Sequence, residues 1–286
     1  MSEQEGRFMK HIWKQLGLTA FLVCMVLSMT AAGRKACAEE PEEWVEIPAT
    51  GTLLYDDQGT TYCISDSDID SPCVFYHKAP GNVSGKVVIP DTIKLDGVEY
   101  TVNAIDENAF KKKKKLTEVV LGSNVERIWN NAFEGCKGLK SVVMNEKIEI
   151  IDDNAFTGCK SLKKIVVPDK VWLIGSGAFS GCKALKTVKM GEGLTEIRDC
   201  AFEKCSALKS IVIPGKVKEI GTEAFSKCKK LKKITIQSKK LKKKKVGEKA
   251  FAGIAAKAVF KSPAGKAAAY KKIFLKRGAK KTCKFK

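Results

Sequence analysis

Five cysteines are the first residues in this chain whose spacing suggests chemistry. Cys136, Cys159, Cys182, Cys205 and Cys228 recur every 23 residues, each three places after a phenylalanine. Regularly spaced thiols could hold a metal or exchange disulfides. Metal ligands must converge on a point, however, whereas a fixed period spreads sulfurs along a line with one repeat unit, roughly 4.8 Å, between neighbours. Cysteine is also among the most buried residue types and packs as a small hydrophobe, so the series predicts a ladder of buried thiols. Neighbours in such a ladder are close enough for a disulfide in principle, but five leave one over. Cys63 and Cys73 are the better pair for a disulfide if the chain is exported. Cys200 and Cys283 have no evident partner.

Other catalytic constellations find little material. Beyond the first 38 residues there is one histidine, His77, so no Ser-His-Asp, Cys-His or multi-histidine zinc site can be assembled. His77 reads as an ordinary structural residue. Asp66, Asp68 and Asp70 imitate the start of a calcium loop, but the twelfth position holds His77 instead of glutamate, and a solvated acidic loop is the expectation. Nothing places two carboxylates in one pocket. The sequence therefore predicts no catalytic, cofactor-binding or metal-binding residues, with a secreted hydrolase the remote alternative.

What positions the cysteines is a repeat. Phe110, Phe133, Phe156, Phe179, Phe202 and Phe225 stand 23 apart, and Phe251 follows after 26. An alanine precedes each, an aliphatic lies five residues before (Ile105 to Ile220, then Val246), and a leucine follows six after the first six (Leu116 to Leu231). Self-similarity at this period marks units that cannot bury their apolar faces alone and must stack into a solenoid. In LKSIVIPGKVKEIGTEAFSKCKK (208–230) the opening L-x-x-I-x-I predicts a short strand, one rung per repeat. Pro168 and Pro214 close the rung, since proline donates nothing to a ladder. Val217 and Ile220 form the returning side, and Gly175 and Gly221 permit a turn there. The A-F-x-x-C segment predicts one tight helical turn with its Phe inserted between layers. Phe110, nearest the start, is expected to matter less than the central Phe179.

This pattern resembles the leucine-rich repeats of the BspA-like family of bacterial surface and secreted proteins, whose units carry L-x-x-I-x-I-P and a later I-G-x-x-A-F-x-x-C. The resemblance covers residues 86–255. It implies an α/β repeat fold, a right-handed leucine-rich-repeat solenoid with a short parallel sheet on its concave face, and a role in adhesion. Departures lie at the ends: lysines 111–115 replace Gly-Cys in the first unit, and Leu241 with Lys242, Lys243, Lys244 and Lys245 stretches the last. Irregular terminal units are what a capped stack requires.

Four segments result: residues 1–38 as a signal peptide, 39–85 as a β-rich N-terminal cap, 86–255 as the solenoid and 256–286 as a basic C-terminal cap. Leu16 to Ala32 runs without a charge behind Arg7, Lys10 and Lys14, and Ala36-Cys37-Ala38 predicts cleavage after Ala38; an uncleaved anchor is the alternative. No later segment could span a bilayer, so the expected location is secreted or cell surface. GTLLYDDQGTTYCI (51–64) predicts two strands around a tight turn, and Ala267 to Lys276 followed by Gly278 a short basic helix and its stop.

Charge is uneven. Residues 229–286 hold 22 basic side chains and one acid, Glu248, while residues 39–228 hold 25 basic against 29 acidic. The excess locates an electrostatic partner at the C-terminal end, with Lys242, Lys243, Lys244 and Lys245 as candidate contacts to an anionic cell-wall polymer. On the rungs, Val120, Val143, Val166, Lys189, Val212 and Thr235 should align in one outward row, flanked by Thr117, Lys140, Lys163, Lys186, Lys209 and Lys232. An apolar ridge beside a lysine rail predicts a surface for a host or neighbouring-cell protein or glycan. No nucleic-acid partner is expected.

Overall fold

The computed structural model describes residues 47–286. The chain starts with β1 (Leu53–Tyr55) and β2 (Thr61–Asp66), an antiparallel pair. Their turn is held by the Asp56 carboxylate, which accepts the N–H groups of Gln58 at 3.0 Å and Thr60 at 2.7 Å, the local bond that makes aspartate a turn residue. β3 (Cys73–Lys78) continues the meander. β4 (Gly85–Val88) begins a second sheet, and β5 (Thr92–Leu95) and β6 (Val98–Ile105) form a hairpin. β3 pairs parallel with β6. From there every rung lies parallel to the last. The predicted signal segment and its cleavage point lie outside the described residues.

Each repeat contributes two strands, where the sequence suggests one. The first follows the leucine: Leu116–Val120, Ser141–Val143, Lys164–Val166, Thr187–Lys189, Ser210–Ile213, Lys233–Ile236 and finally Val259–Lys261. The second is the two-residue return strand, as in Ile150–Ile151, Leu173–Ile174 and Glu196–Ile197. Ile151 pairs with Ile174, Ile174 with Ile197 and Ile197 with Ile220, so a 23-residue step in sequence is one rung in space. Between the strands Val171 N–H reaches Pro168 O and Val217 N–H reaches Pro214 O, which places both prolines where a strand ends in a turn. Gly175 and Gly221 serve a purpose other than turn freedom. A Cβ on Gly175 would stand 2.5 Å from the Asp152 carbonyl carbon, so the preceding rung passes too close for any side chain.

The third side of the coil corrects the expected helical turn. Asn131 and Gly135 have φ of 57° and 70°, and the same two positions repeat as Asn154 and Gly158, then Cys200 and Lys204. A right-handed helix excludes such values. Alternation of hand instead points every second N–H at the next repeat: Asn131 N–H to Asp153 O, Phe133 N–H to Ala155 O and Gly135 N–H to Thr157 O, at 3.0, 2.8 and 2.7 Å. Intervening N–H groups close turns within the repeat, as Cys136 N–H does on Phe133 O. This third side, like the return strands, is thus bonded to its neighbour rung by rung.

Inside, the phenylalanines form one stack. Centroids from Phe110 to Phe251 are 4.9 to 5.5 Å apart with planes within 12° of parallel, the offset arrangement aromatic quadrupoles favour. Phe110 is not an end. Tyr76 of β3 stacks on it at 5.0 Å, so the cap carries the column one step further than the Phe period does. The column stops where rings turn edge-on: Tyr62 meets Tyr76 at 74°, and Phe274 meets Phe251 at 68°. Phe274 and Tyr270 are buried on α1 (Ala267–Lys276), which Gly278 ends at φ 97°. Lys284–Phe285 then pairs with Val259–Lys261 as a short lysine-bearing edge, a poor template for further pairing.

Candidate binding surface

On the first strands, side chains alternate strictly. Val119, Val142, Ile165, Val188, Ile211 and Ile234 are buried, so the residue after each faces out. Val88 is 59% exposed, Val143 51%, Val166 39% and Val212 44%. Lys189 is exposed and Val120 and Thr235 are half-buried. The ladder pairs Val88 with Val120, Val120 with Val143, Val166 with Lys189 and Val212 with Thr235. The expected row therefore exists as a mostly aliphatic strip, interrupted by Lys189 and carried on three paired segments, since neither Ser141–Val143 and Lys164–Val166 nor Thr187–Lys189 and Ser210–Ile213 are joined in a ladder. The predicted rail is also in place: Lys140, Lys163, Lys186, Lys209 and Lys232 are all exposed, with Thr117 half-buried before them.

Between strip and rail runs a middle row that sequence reasoning missed, made of Glu118, Ser141, Lys164, Thr187, Ser210 and Lys233. Two-residue alternation was the signal that could have found it. Glu118 is its one carboxylate, paired with Lys86 at 3.4 Å. Past Glu118 the outward face of this sheet carries lysines and no acid, and among the described residues none of those lysines makes an ion pair with a side chain.

The return strands are mixed in charge. Their outer side carries Glu126, Glu149, Trp172, Thr195 and Lys218, with Glu196 and Glu219 one place on. Arg127 bonds Asp152 at 2.6 Å and lies 4.0 Å over the Trp129 ring. A shallow cleft of about 270 Å³ lies here, lined by Ser176, Glu196, Arg198, Asp199, Glu219 and Gly221. Its charges serve structure: Asp199 accepts the Thr222 N–H at 2.6 Å, and Arg198 lies 3.7 Å from Glu196. The N–H of Ser176 donates to the Asp153 carboxylate at 2.6 Å.

The five periodic thiols line up as expected, and each has a partner. The Sγ–H of Cys136, Cys159, Cys182, Cys205 and Cys228 donates to the carbonyl of the phenylalanine 26 residues earlier, at 2.9 to 3.2 Å. Burial pushes the thiols of Cys136, Cys182 and Cys228 up to about 12 and those of Cys159 and Cys205 well above the ordinary range. They stay protonated and inert. Cys63 and Cys73 are free, a correction to the possible disulfide: the antiparallel register sets Cys63 opposite Phe75 and Cys73 opposite Asp66, so the two lie on different rungs. In the acidic loop the carboxylates of Asp66 and Asp68 cap the N–H groups of Asp68 and Asp70, each at 3.1 Å. Among the described residues no cluster has metal-ligand geometry. His77 Nδ1 lies 2.7 Å from Asp106 in the cap.

A sequence model of the BspA-type leucine-rich-repeat region matches residues 103–171 and 150–276, in six copies. The chain belongs to the BspA-type leucine-rich-repeat family. Among solved structures this BspA-type chain is similar to a leucine-rich cell-surface protein of Faecalibacterium prausnitzii, at 28% identity and a TM-score of 0.50, over 67% of this chain and 56% of that one. It spans little more than half of that relative. A leucine-rich-repeat protein of T. pallidum shares the fold at 24% identity and a TM-score of 0.59, over 80% of this chain and 96% of the other. No protein with a curated function is similar enough in sequence to match.

The C-terminal lysines of this BspA-type chain sit on its surface. Lys242, Lys243, Lys244 and Lys245 are exposed, the last three in a single 3₁₀ turn. Lys245 bonds Glu219 at 2.6 Å, and Arg277 pairs with Glu248 and also donates to Lys243 O at 3.2 Å. The stretched unit is therefore pinned to the stack. Among the described residues no helix is long and apolar enough to cross a membrane.

Proposed function

We propose that the protein is a non-enzymatic, surface-associated bacterial binding protein that presents the outer face of its first-strand sheet to a protein or glycan of a host or neighbouring cell. The observation that carries this reading is the exposed strip from Val88 to Thr235, paired within three short parallel sheets and left open where aliphatic side chains are normally covered. Family membership supports it, since a similar structure is that of a cell-surface protein. Beyond the first 38 residues His77 is the only histidine. It bonds Asp106 in the cap, away from the polar cleft, so hydrolysis has little support.

The test is adhesion of purified protein to epithelial cells or matrix-coated surfaces, comparing the natural chain with Val143→Gln, Val166→Gln, Val212→Gln combined. These positions point to solvent, so folding should persist, as circular dichroism would verify. Adhesion should fall at least about fivefold, consistent with about 1 kcal/mol or more of lost contact. Unchanged adhesion, or loss only on changing Trp172 and Glu149, sinks the reading.

A second reading has its own support: Lys242, Lys243 and Lys244 are exposed and make no ion pair among the described residues. They would hold the protein on anionic wall polymer. Replacing Lys242 to Lys245 with glutamine should then release it from sedimented cell walls at low salt; a protein in the medium with or without these lysines excludes the anchor.

A further inference from the structure

Counted along the chain, residues 39–228 are nearly neutral, with 25 basic and 29 acidic side chains. Folding sorts those charges by face. Lys140, Lys163, Lys186, Lys209 and Lys232 each lie one residue before a first strand, exposed along the edge of that side, while Glu126, Glu149, Glu196 and Glu219 lie in or just before the return strands, interspersed there with Arg127, Arg198 and Lys218. Lys164 and Lys233 in the middle row and Lys189 in the strip add to the basic side. A balance that looks neutral in sequence thus becomes a basic side along the first strands and a mixed-charge side along the return strands.

Main-chain bonds fix the spacing within two parts of the lysine row, Lys140 to Lys186 and Lys209 to Lys232. Lys163 N–H bonds Lys140 O at 3.4 Å, Lys186 N–H bonds Lys163 O at 2.9 Å and Lys232 N–H bonds Lys209 O at 2.9 Å. Neighbouring cations are therefore one rung, about 4.8 Å, apart along the stack axis. Like charges held so close repel, and no carboxylate on the same face relieves them beyond Glu118. A linear polyanion lying along the axis would neutralise the row and release its own counterions.

Three features choose among polyanions. The face has neither an aromatic ring nor an arginine among its outward residues, so unstacked nucleic-acid bases would find no platform. The aliphatic strip runs parallel to the rail, three residues or about 10 Å further along each strand. A stiff polysaccharide can set sulfates or carboxylates against the rail and rest the C–H faces of its rings on Val143, Val166 and Val212; a flexible polyphosphate would leave the strip unused. Successive pyranose rings also advance by about one rung. We propose that the outer sheet face binds a linear sulfated or uronate-bearing polysaccharide laid along the solenoid axis, with the five-lysine row as the charge rail and the valine strip as the ring support. This rests on the reading of that face as the binding surface and names the class of its ligand.

Size-fractionated heparin oligosaccharides are the probe, titrated against the full chain by calorimetry. Affinity should rise with length until an oligosaccharide spans the five rungs and then level off. Lys163→Gln, Lys186→Gln, Lys209→Gln combined should weaken binding about ten- to a hundredfold and lower the slope of log affinity against log salt by about two to three. Lys242→Gln, Lys243→Gln, Lys244→Gln combined should leave both unchanged. Melting curves should match for all three proteins, because every altered side chain is exposed. The proposal is overturned if affinity ignores length, if inorganic polyphosphate of equal charge binds as tightly, or if only the C-terminal variant loses binding. Heparin failure together with adhesion that still depends on the valine strip would remove the glycan and leave the binding face standing; loss of both dependences would remove the face as well.

Discussion

The Sγ–H of Cys182 lies 3.2 Å from the Phe156 carbonyl, which also accepts the N–H of Cys159 at 3.2 Å. A small apolar side chain could fill that space, but only one with a donor can satisfy the remaining lone pair. Cys182→Ala should therefore cost about 1 to 1.5 kcal/mol, from a small cavity and one lost weak bond, measured by urea denaturation. In alkylation of the native protein, half-buried Cys63, Cys73 and Cys200 should react while the five ladder thiols wait for unfolding. Stoichiometric zinc in purified protein, or fast labelling of Cys182, would contradict this. Glu203 is the other informative residue. Burial alone would raise its pKa, yet hydrogen bonds from Lys227 at 3.0 Å and from Lys204 outweigh that and hold it below the usual range. A depressed carboxyl contributes stability above its unfolded value, about 4.3, and loses it as pH falls through the folded one. Below about pH 4 the natural protein should lose stability more steeply than Glu203→Gln. Parallel curves would mean the lysines contribute nothing there.

At the scale of an element, the aromatic column decides what can be removed. Phe110 and Phe179 are both fully buried, each between two stacked rings, because Tyr76 continues the column into the cap. Phe110→Ala and Phe179→Ala should then cost alike, about 3 to 5 kcal/mol. Phe285, half-buried on the last strand, should cost less. Thermal melting of the three variants checks this, and a mild Phe110→Ala would show that the cap does not support the first repeat. The column, the first strand and the inward residues of the returning side were legible in the sequence, because spacing fixes which residues face inward; that the returning side is itself a strand was not. The third side was not. Its two left-handed positions hold Asn131 and Gly135 in one repeat but Cys200 with Lys204 and Glu223 with Lys227 in others, so the glycine signal fades where the backbone persists. Cooperative bonding to both neighbouring turns holds those residues in place against their preference.

For the whole molecule, stacking turns a one-dimensional pattern into faces. Alternation let the sequence place Val143 and Val166 outward, while the rail lysines, one residue before each strand, are exposed at its edge. Charge counted along the chain, by contrast, pointed only to the C-terminal segment, since averaging over residues 39–228 cancels lysines on one sheet against glutamates on the other. The Cys63 and Cys73 pairing failed because the register of the hairpin, which the spacing of two cysteines does not reveal, sets Cys63 opposite Phe75. If the two faces are as different as the fold makes them, the full chain should bind a cation-exchange matrix through one side. Substituting Lys163, Lys186 and Lys209 with glutamine should then lower its elution salt more than the same substitutions at Lys218, Lys170 and Lys183, which lie on other parts of the coil. Equal shifts would show that net charge alone matters.

The account stands or falls on which face meets the partner. A photoreactive crosslinking side chain placed at Val166, on the outer face of the first-strand sheet, or at Trp172, on the return-strand sheet, separates the possibilities within one repeat. On cells to which the protein adheres, Val166 should give a specific crosslinked product that an excess of unlabelled protein suppresses, and Trp172 should give none. Crosslinking from Trp172 with none from Val166 would contradict the assignment of the binding face.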